Sequence, residues 1–209
     1  MGRKKRIERP FETRPCKFAG CRYHPPNNKR TYHHHCCPHR TLKCLYWPDC
    51  QKRVTFKQYA FHLRQDHPTP ENCLISNIQT KFLIEREVLR LFGKKNRARF
   101  IWSRSYDIGR KTFYLRMLYR KNQFFFQMFF LGLALDARKL SVTFRLKNEG
   151  QEMKSIGNVI PINDINEKDV LDHKATFVIG EKTARQFFVN NGQFEHLSIY
   201  CHISKKKIK

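Results

Sequence analysis

The sequence predicts a mainly β chain, in which a small Cys/His-rich module at the front is followed by an antiparallel β-sandwich. Three observations lead there. Six of the eight cysteines fall between Cys16 and Cys50, interleaved with histidines. Later segments alternate apolar and polar residues with a period of two, as half-buried strands do. A chain of 209 residues with 40% hydrophobic content can supply one ordinary core plus a small module.

Bulk properties narrow the setting. The strongest apolar run, Phe124 to Leu135, is interrupted by Gln127 and Gly132 and is too short for a membrane helix. The start MGRKKRIERP has no apolar stretch behind its charges, unlike a secretory signal. These features predict a cytoplasmic or nuclear protein, where clustered cysteines favour metal over disulfides. Cys73 and Cys201 stand apart and are expected to be buried hydrophobes. The formal charge of +25 is densest at the front, with 16 Lys+Arg against 4 Asp+Glu in residues 1–67, and it keeps nucleic acid in view as a partner. Basic tails are expected at 1–13 and 205–209, including Arg3 to Arg6 and Lys205 to Lys207.

Within residues 14–70 the test is which donors can converge on one tetrahedral ion, a turn commonly bearing the first pair and a helix the second. Two quartets satisfy it. Cys16-x4-Cys21 is followed by eleven residues and then His33-x3-Cys37, an i, i+4 pair on one helical face. Six residues later Cys44-x5-Cys50 begins the second set, followed again by eleven residues and then His62-x4-His67. Both sets fill four positions, so two structural rather than catalytic zinc ions are expected. In the stretch TYHHHCCPH, His34, His35, Cys36 and His39 are then neighbours of the ligands His33 and Cys37. A helix carrying His62 is predicted independently. Thr55 and Gln58 suggest a capping box, Phe56, Tyr59 and Leu63 form an apolar stripe, and Pro68 stops continuation.

The carboxy-terminal two-thirds, residues 74–204, supplies the strands. Phe113, Leu115, Met117 and Tyr119 alternate with Tyr114, Arg116, Leu118 and Arg120. Val142, Phe144 and Leu146 alternate with Thr143, Arg145 and Lys147, and Leu197, Ile199, Cys201 and Ile203 with His196, Ser198, Tyr200 and His202. Each is read as having one core face and one mostly polar face. QFFFQMFFLGL, Gln123 to Leu133, predicts a central strand buried on both faces. A helix is expected between Gly180 and Gly192 from Ala184, Phe187 and Phe188 with the Asn191-Gly192 stop. Phe82 to Phe92 has helical periodicity.

These finger spacings resemble the double zinc finger of the seven-in-absentia family of ubiquitin ligases, where C-x6-C-x11-H-x3-C is joined by six residues to a second finger ending C-x11-H. The first knuckles here are shorter, four and five residues. The later chain resembles the family's TRAF-like substrate-binding domain. Arg145 to Gly150, RLKNEG, is similar to its R-L-E-L-N-G, Pro161 follows the next strand as a proline does there, and Gln186 to Gly192, QFFVNNG, is similar to its Q-L-F-A-E-N-G. The resemblance spans residues 14 to 203 and would make part of Phe82–Phe92 a strand.

What the resemblance implies is a protein-interaction adaptor that binds substrates or peptide degrons for ubiquitin-dependent degradation. Ligating members carry a RING ahead of the fingers, and the fifteen residues before Cys16 hold no such pattern, so the expectation is a chain not catalytic alone. A RING-bearing relative or a second copy would be its partner, or the chain would act as a dominant competitor for substrates. The implied peptide-contacting residues are Ser155, Ile156, Gly157 and Val159, with Gly157 where the family has a tryptophan. The competing expectation is a basic nucleic-acid-binding zinc-finger protein, with Lys52, Arg53, Lys57 and Arg64 around the second helix. Its spacings depart from those of groove-reading fingers. No G-x-S-x-G, H-E-x-x-H or phosphate-binding glycine loop is present, and His173 and Cys201 have no visible partner, which argues against an unaided hydrolase.

Overall fold

The computed structural model describes residues 13–46, 50–67, 77–85, 100–108, 111–162, 177–192 and 194–206. The expectations placed on Arg3 to Arg6, Pro68, Cys73, Arg86 to Phe92, His173 and Lys207 lie outside them. Among the described residues no helix is long and apolar enough to cross a membrane.

The front module contains helix α1 (Arg30–Cys36), the short hairpin β1 (Thr41–Lys43) and β2 (Arg53–Thr55), and helix α2 (Tyr59–Asp66). The rest is β-rich: β3 (Asn77–Glu85), β4 (Phe100–Ile108), β5 (Lys111–Arg120), β6 (Gln123–Leu131), β7 (Leu140–Asn148), β8 (Gln151–Asn158), β9 (Ile160–Pro161), β10 (Phe177–Gly180), β11 (Phe188–Asn191) and β12 (Phe194–Lys205). Two single-turn helices, α3 (Ala134–Arg138) and α4 (Glu181–Ala184), connect strands.

These strands form two five-stranded sheets. In the first the order is β10-β6-β5-β4, with β9 pairing β6 in parallel; the other pairings are antiparallel. In the second, β12 is long enough to take β3 along one edge and β11 and β7 in series along the other, and β8 pairs β7. The β5–β6 hairpin turns through Lys121 and Asn122, both with positive φ (50° and 59°), the twist a two-residue turn requires.

One apolar core fills the space between the sheets. Phe113, Leu115, Met117 and Tyr119 of β5 and Phe124, Phe126 and Met128 of β6 meet Val142, Phe144 and Leu146 of β7 and Leu197, Ile199 and Cys201 of β12. Phe177 bridges the layers, with its ring 5.5 Å from Phe126 and 6.1 Å from Phe144. This is the mainly β, two-layer architecture that the period-two patterns predict.

Two expectations are corrected. The second face of β5 is not a solvated polar one: Tyr114, Arg116 and Leu118 are as buried as the core residues between them, and Tyr114 packs into the apolar cluster of the front module. The helix expected up to Gly192 ends early. Glu181–Ala184 passes into a 3-10 turn, Arg185–Phe187, and Phe188–Asn191 is a strand paired with β12. Asn191-Gly192 is therefore a hairpin signal, with Gly192 at φ +67°. Of the two readings left open for Phe82–Phe92, the described part, as far as Glu85, is strand, and Phe82 and Ile84 alternate inward from β3 onto the core.

The front module packs on the outer face of the first sheet. Leu42, Leu45, Tyr59 and Leu63 form a second apolar cluster with Tyr114, Phe129, Ile160 and Ile162. The Arg40 guanidinium donates to the Ile162 carbonyl at 3.3 Å, and Arg64 of α2 reaches the Asp107 carboxylate on β4 at 2.8 Å. Arg116 is held beneath this layer by donating from Nε and Nη2 to Gln127 Oε1 at 3.0 and 2.7 Å, with its guanidinium 4.9 Å from the Phe129 ring centre.

Candidate metal centres

Each quartet converges on a point. In the first, Cys16 Sγ lies 3.8 Å from Cys37 Sγ, and Cys21 Sγ lies 3.5 Å from His33 Nε2. In the second, Cys44 Sγ is 3.4 Å from His67 Nε2 and Cys50 Sγ is 3.7 Å from His62 Nε2. All four donor atoms of each group lie within 4.8 Å of one another. Tetrahedral zinc with ordinary Zn–S and Zn–N bonds separates S from S by about 3.8 Å and S from N by about 3.6 Å. Two Cys/His groups can therefore hold a metal ion, and the soft thiolate and imidazole donors at these separations are consistent with zinc.

Local backbone explains the convergence. At the first centre the Cys16 N–H donates to the Tyr23 carbonyl and the Cys21 N–H to Phe18, closing the knuckle, while Gly20 takes φ +81°. A Cβ there would stand 3.1 Å from His39 Nδ1. α1 carries His33 and ends at Cys37, so the i, i+4 pair spans its last turn. At the second centre the buried Tyr59 hydroxyl donates to the Lys43 carbonyl and accepts from the Leu45 N–H, both at 2.9 Å, and fixes the chain on either side of Cys44. α2 carries His62, and His67 caps it with its N–H on the Leu63 carbonyl. The Thr55 and Gln58 side chains bond each other at 2.8 Å and do not form the expected capping box; a 3-10 turn, Phe56–Gln58, leads into α2.

The neighbours in TYHHHCCPH, His34, His35, Cys36 and His39, belong to neither donor group. Cys36 Sγ donates to the His33 carbonyl, and His34 packs edge-on against Phe18 with ring centres 5.8 Å apart. Burial holds the His34 imidazole below its ordinary pKa.

Burial pushes the Cys37 and Cys44 thiols up to about 12 each. The His67 imidazole is lowered, first by burial and then by the nearby His62. A neutral imidazole is ready to ligate, but the thiols must lose protons as metal enters, so uptake releases protons and weakens on acidification.

Sequence reasoning missed Asp66. Its Oδ2 accepts from His62 Nδ1 at 2.8 Å and from Lys52 Nζ at 2.7 Å. The Lys52 ammonium holds the Asp66 carboxyl below the usual carboxylate range. The carboxylate fixes the tautomer that presents Nε2 inward. The signal was available, because Asp66 stands four residues after His62 on a helix. Asp66→Asn is expected to weaken the second centre by roughly 10–100-fold and leave the first unchanged, read by competition with a chelating dye. Equal affinity would remove the carboxylate from the site. Tyr46 adds a second support, stacked on His67 at 3.8 Å and edge-on to Tyr114 at 5.6 Å.

The four residues singled out for peptide contact are placed differently. Ser155, Ile156 and Gly157 lie on β8, which pairs only with β7 among the described strands. Ile156 is 67% exposed, whereas Val159 is buried in the sandwich core. Cys201 is also buried there, and burial raises its thiol, the reverse of what a nucleophile needs. Compared with known proteins, the chain matches no family model and no curated protein.

Proposed function

We propose that this chain is a zinc-stabilised protein-interaction adaptor of the seven-in-absentia type, binding protein substrates or degrons for ubiquitin-dependent degradation. The observation that carries it is the pair of closed quartets, one of them built against a β-sandwich. The eleven-residue gaps and the six-residue connector support the family assignment. The exposed edge of β8, with Ser155, Ile156 and Gly157, is where an extended peptide would add as a further strand, its backbone giving affinity and side-chain pockets giving choice. The two zincs act structurally, so any ubiquitin transfer comes from a partner ligase.

Metal analysis of the purified chain should find two zincs. Cys44→Ser should release one and Cys36→Ser none; equal loss from both would place the wrong thiol of Cys36-Cys37 in the centre. The adaptor reading is tested by affinity purification in physiological salt with nuclease, using the intact chain and Cys44→Ser. A defined set of proteins including a RING-bearing ligase, retained after nuclease and lost with Cys44→Ser, is expected. Recovery of ribosomal and chromatin proteins alone, abolished by nuclease, would overturn it.

A further inference from the structure

The two outer faces of the sandwich are unlike. The front module covers that of the first sheet, whereas the second sheet presents a concavity of about 550 Å³ lined by Gln79, Thr143, Arg145, Lys147, Tyr200 and His202. Register explains the grouping. Lys154, Arg145, Tyr200 and Gln79 stand in one row across β8, β7, β12 and β3, and Ile156, Thr143 and His202 form the next. Lys81 faces outward two residues along β3 from Gln79. Among the described side chains of this face the acidic group is Glu152, which faces both Arg145 at 3.8 Å and Lys147 at 3.6 Å, so the described residues keep a cationic excess. At its centre the half-exposed Tyr200 ring is steadied by the Gln79 amide, which donates to its hydroxyl at 3.1 Å.

We propose that this face binds single-stranded RNA. A sheet surface with an accessible ring among Lys and Arg offers stacking for a base and cations for the flanking phosphates. A duplex fits less well, because its major groove is read by a protruding helix or ribbon and this surface is concave. Gln79, Thr143 and His202 surround the ring with hydrogen-bonding side chains, which suit the 2′-hydroxyl that distinguishes RNA from DNA. The concavity falls within the roughly 300–1,000 Å³ of ligand clefts. The site is separate from both metal centres and does not rest on the adaptor reading, although Ile156 borders both this face and the β8 edge.

The test is fluorescence anisotropy of a labelled oligouridine RNA with the zinc-loaded full chain. Arg145→Ala/Lys147→Ala should weaken binding about tenfold and flatten the slope of log affinity against log salt by about 1.4, two phosphate contacts at ~0.7 each. Tyr200→Ala should weaken it roughly tenfold while Tyr200→Phe, which keeps the stacking ring, does not. Lys29→Ala/Lys57→Ala removes the same charge from the front module and should change little. Zinc content and circular dichroism confirm that each variant is folded. Equal loss from both double variants, no effect of Tyr200→Ala, competition by polyglutamate as effective as by RNA, or equally tight binding of the matching DNA would each overturn the proposal.

Discussion

Loss of the second metal centre is expected to destabilise the whole sandwich, whereas loss of the first should leave the sandwich standing. Cys44, Cys50 and His62 are buried, while Cys16 and Cys21 are half-exposed. Among the described residues, no apolar residue before Leu42 belongs to either core cluster. The second finger's Leu42, Leu45, Tyr59 and Leu63 pack on Tyr114 and Phe129, and Tyr46 ties His67 to Tyr114 directly. Structural zinc commonly supplies the folding free energy of so small a unit, about 10–16 kcal/mol in isolated fingers. Without the ion the finger opens and returns two large rings to water, at about 1.5–3 kcal/mol each. For a chain of this size that lowers Tm by on the order of 10 °C. Thermal unfolding of Cys50→Ser and Cys16→Ser, each matched to its metal content, measures the difference. Equal shifts would show that the finger and the sandwich are energetically separate.

That coupling marks where sequence reading stopped. The quartets were legible because ligand spacing is a local property, and β7 and β12 because each buries one face and wets the other. β5 was legible only by halves. Its inward residues alternate cleanly, but Tyr114, Arg116 and Leu118 read as a mixed outer face, since nothing local reports that a module distant in the chain packs on Tyr114. Ala184, Phe187 and Phe188 read as one helical face because they stand at i, i+3 and i+4. The switch between Phe187 and Phe188 is made by pairing to β12, a tertiary choice that overrides propensity. Val159 could be assigned to the β8 region from sequence but not to the core, because its inward turn depends on β9 crossing to pair with β6.

Phe144→Ala is expected to destabilise the sandwich by about 3–5 kcal/mol, the range for deleting a buried aromatic ring. The ring is fully buried on β7, a strand with partners on both sides, and it stacks on Phe177 across the gap between the sheets. The loss approaches the ~5–15 kcal/mol net stability of an ordinary domain. Ile156 stands on the adjacent strand beside Ser155, the register partner of Phe144, but faces solvent. Its replacement by alanine, Ile156→Ala, should stay within about 0.5 kcal/mol. Urea unfolding followed by fluorescence gives both values. The same experiment also probes the coupling from its other end. If the zinc-loaded second finger stabilises the sandwich, the folded sandwich must stabilise zinc in that finger by the same free energy, since linkage is reciprocal. At a urea concentration where Phe144→Ala is half unfolded and the parent chain is intact, a chelator should therefore extract the second zinc faster from the variant and the first zinc at equal rates from both. Equal extraction of both ions from the two proteins would mean that the apolar contact between finger and sheet carries no net stabilisation.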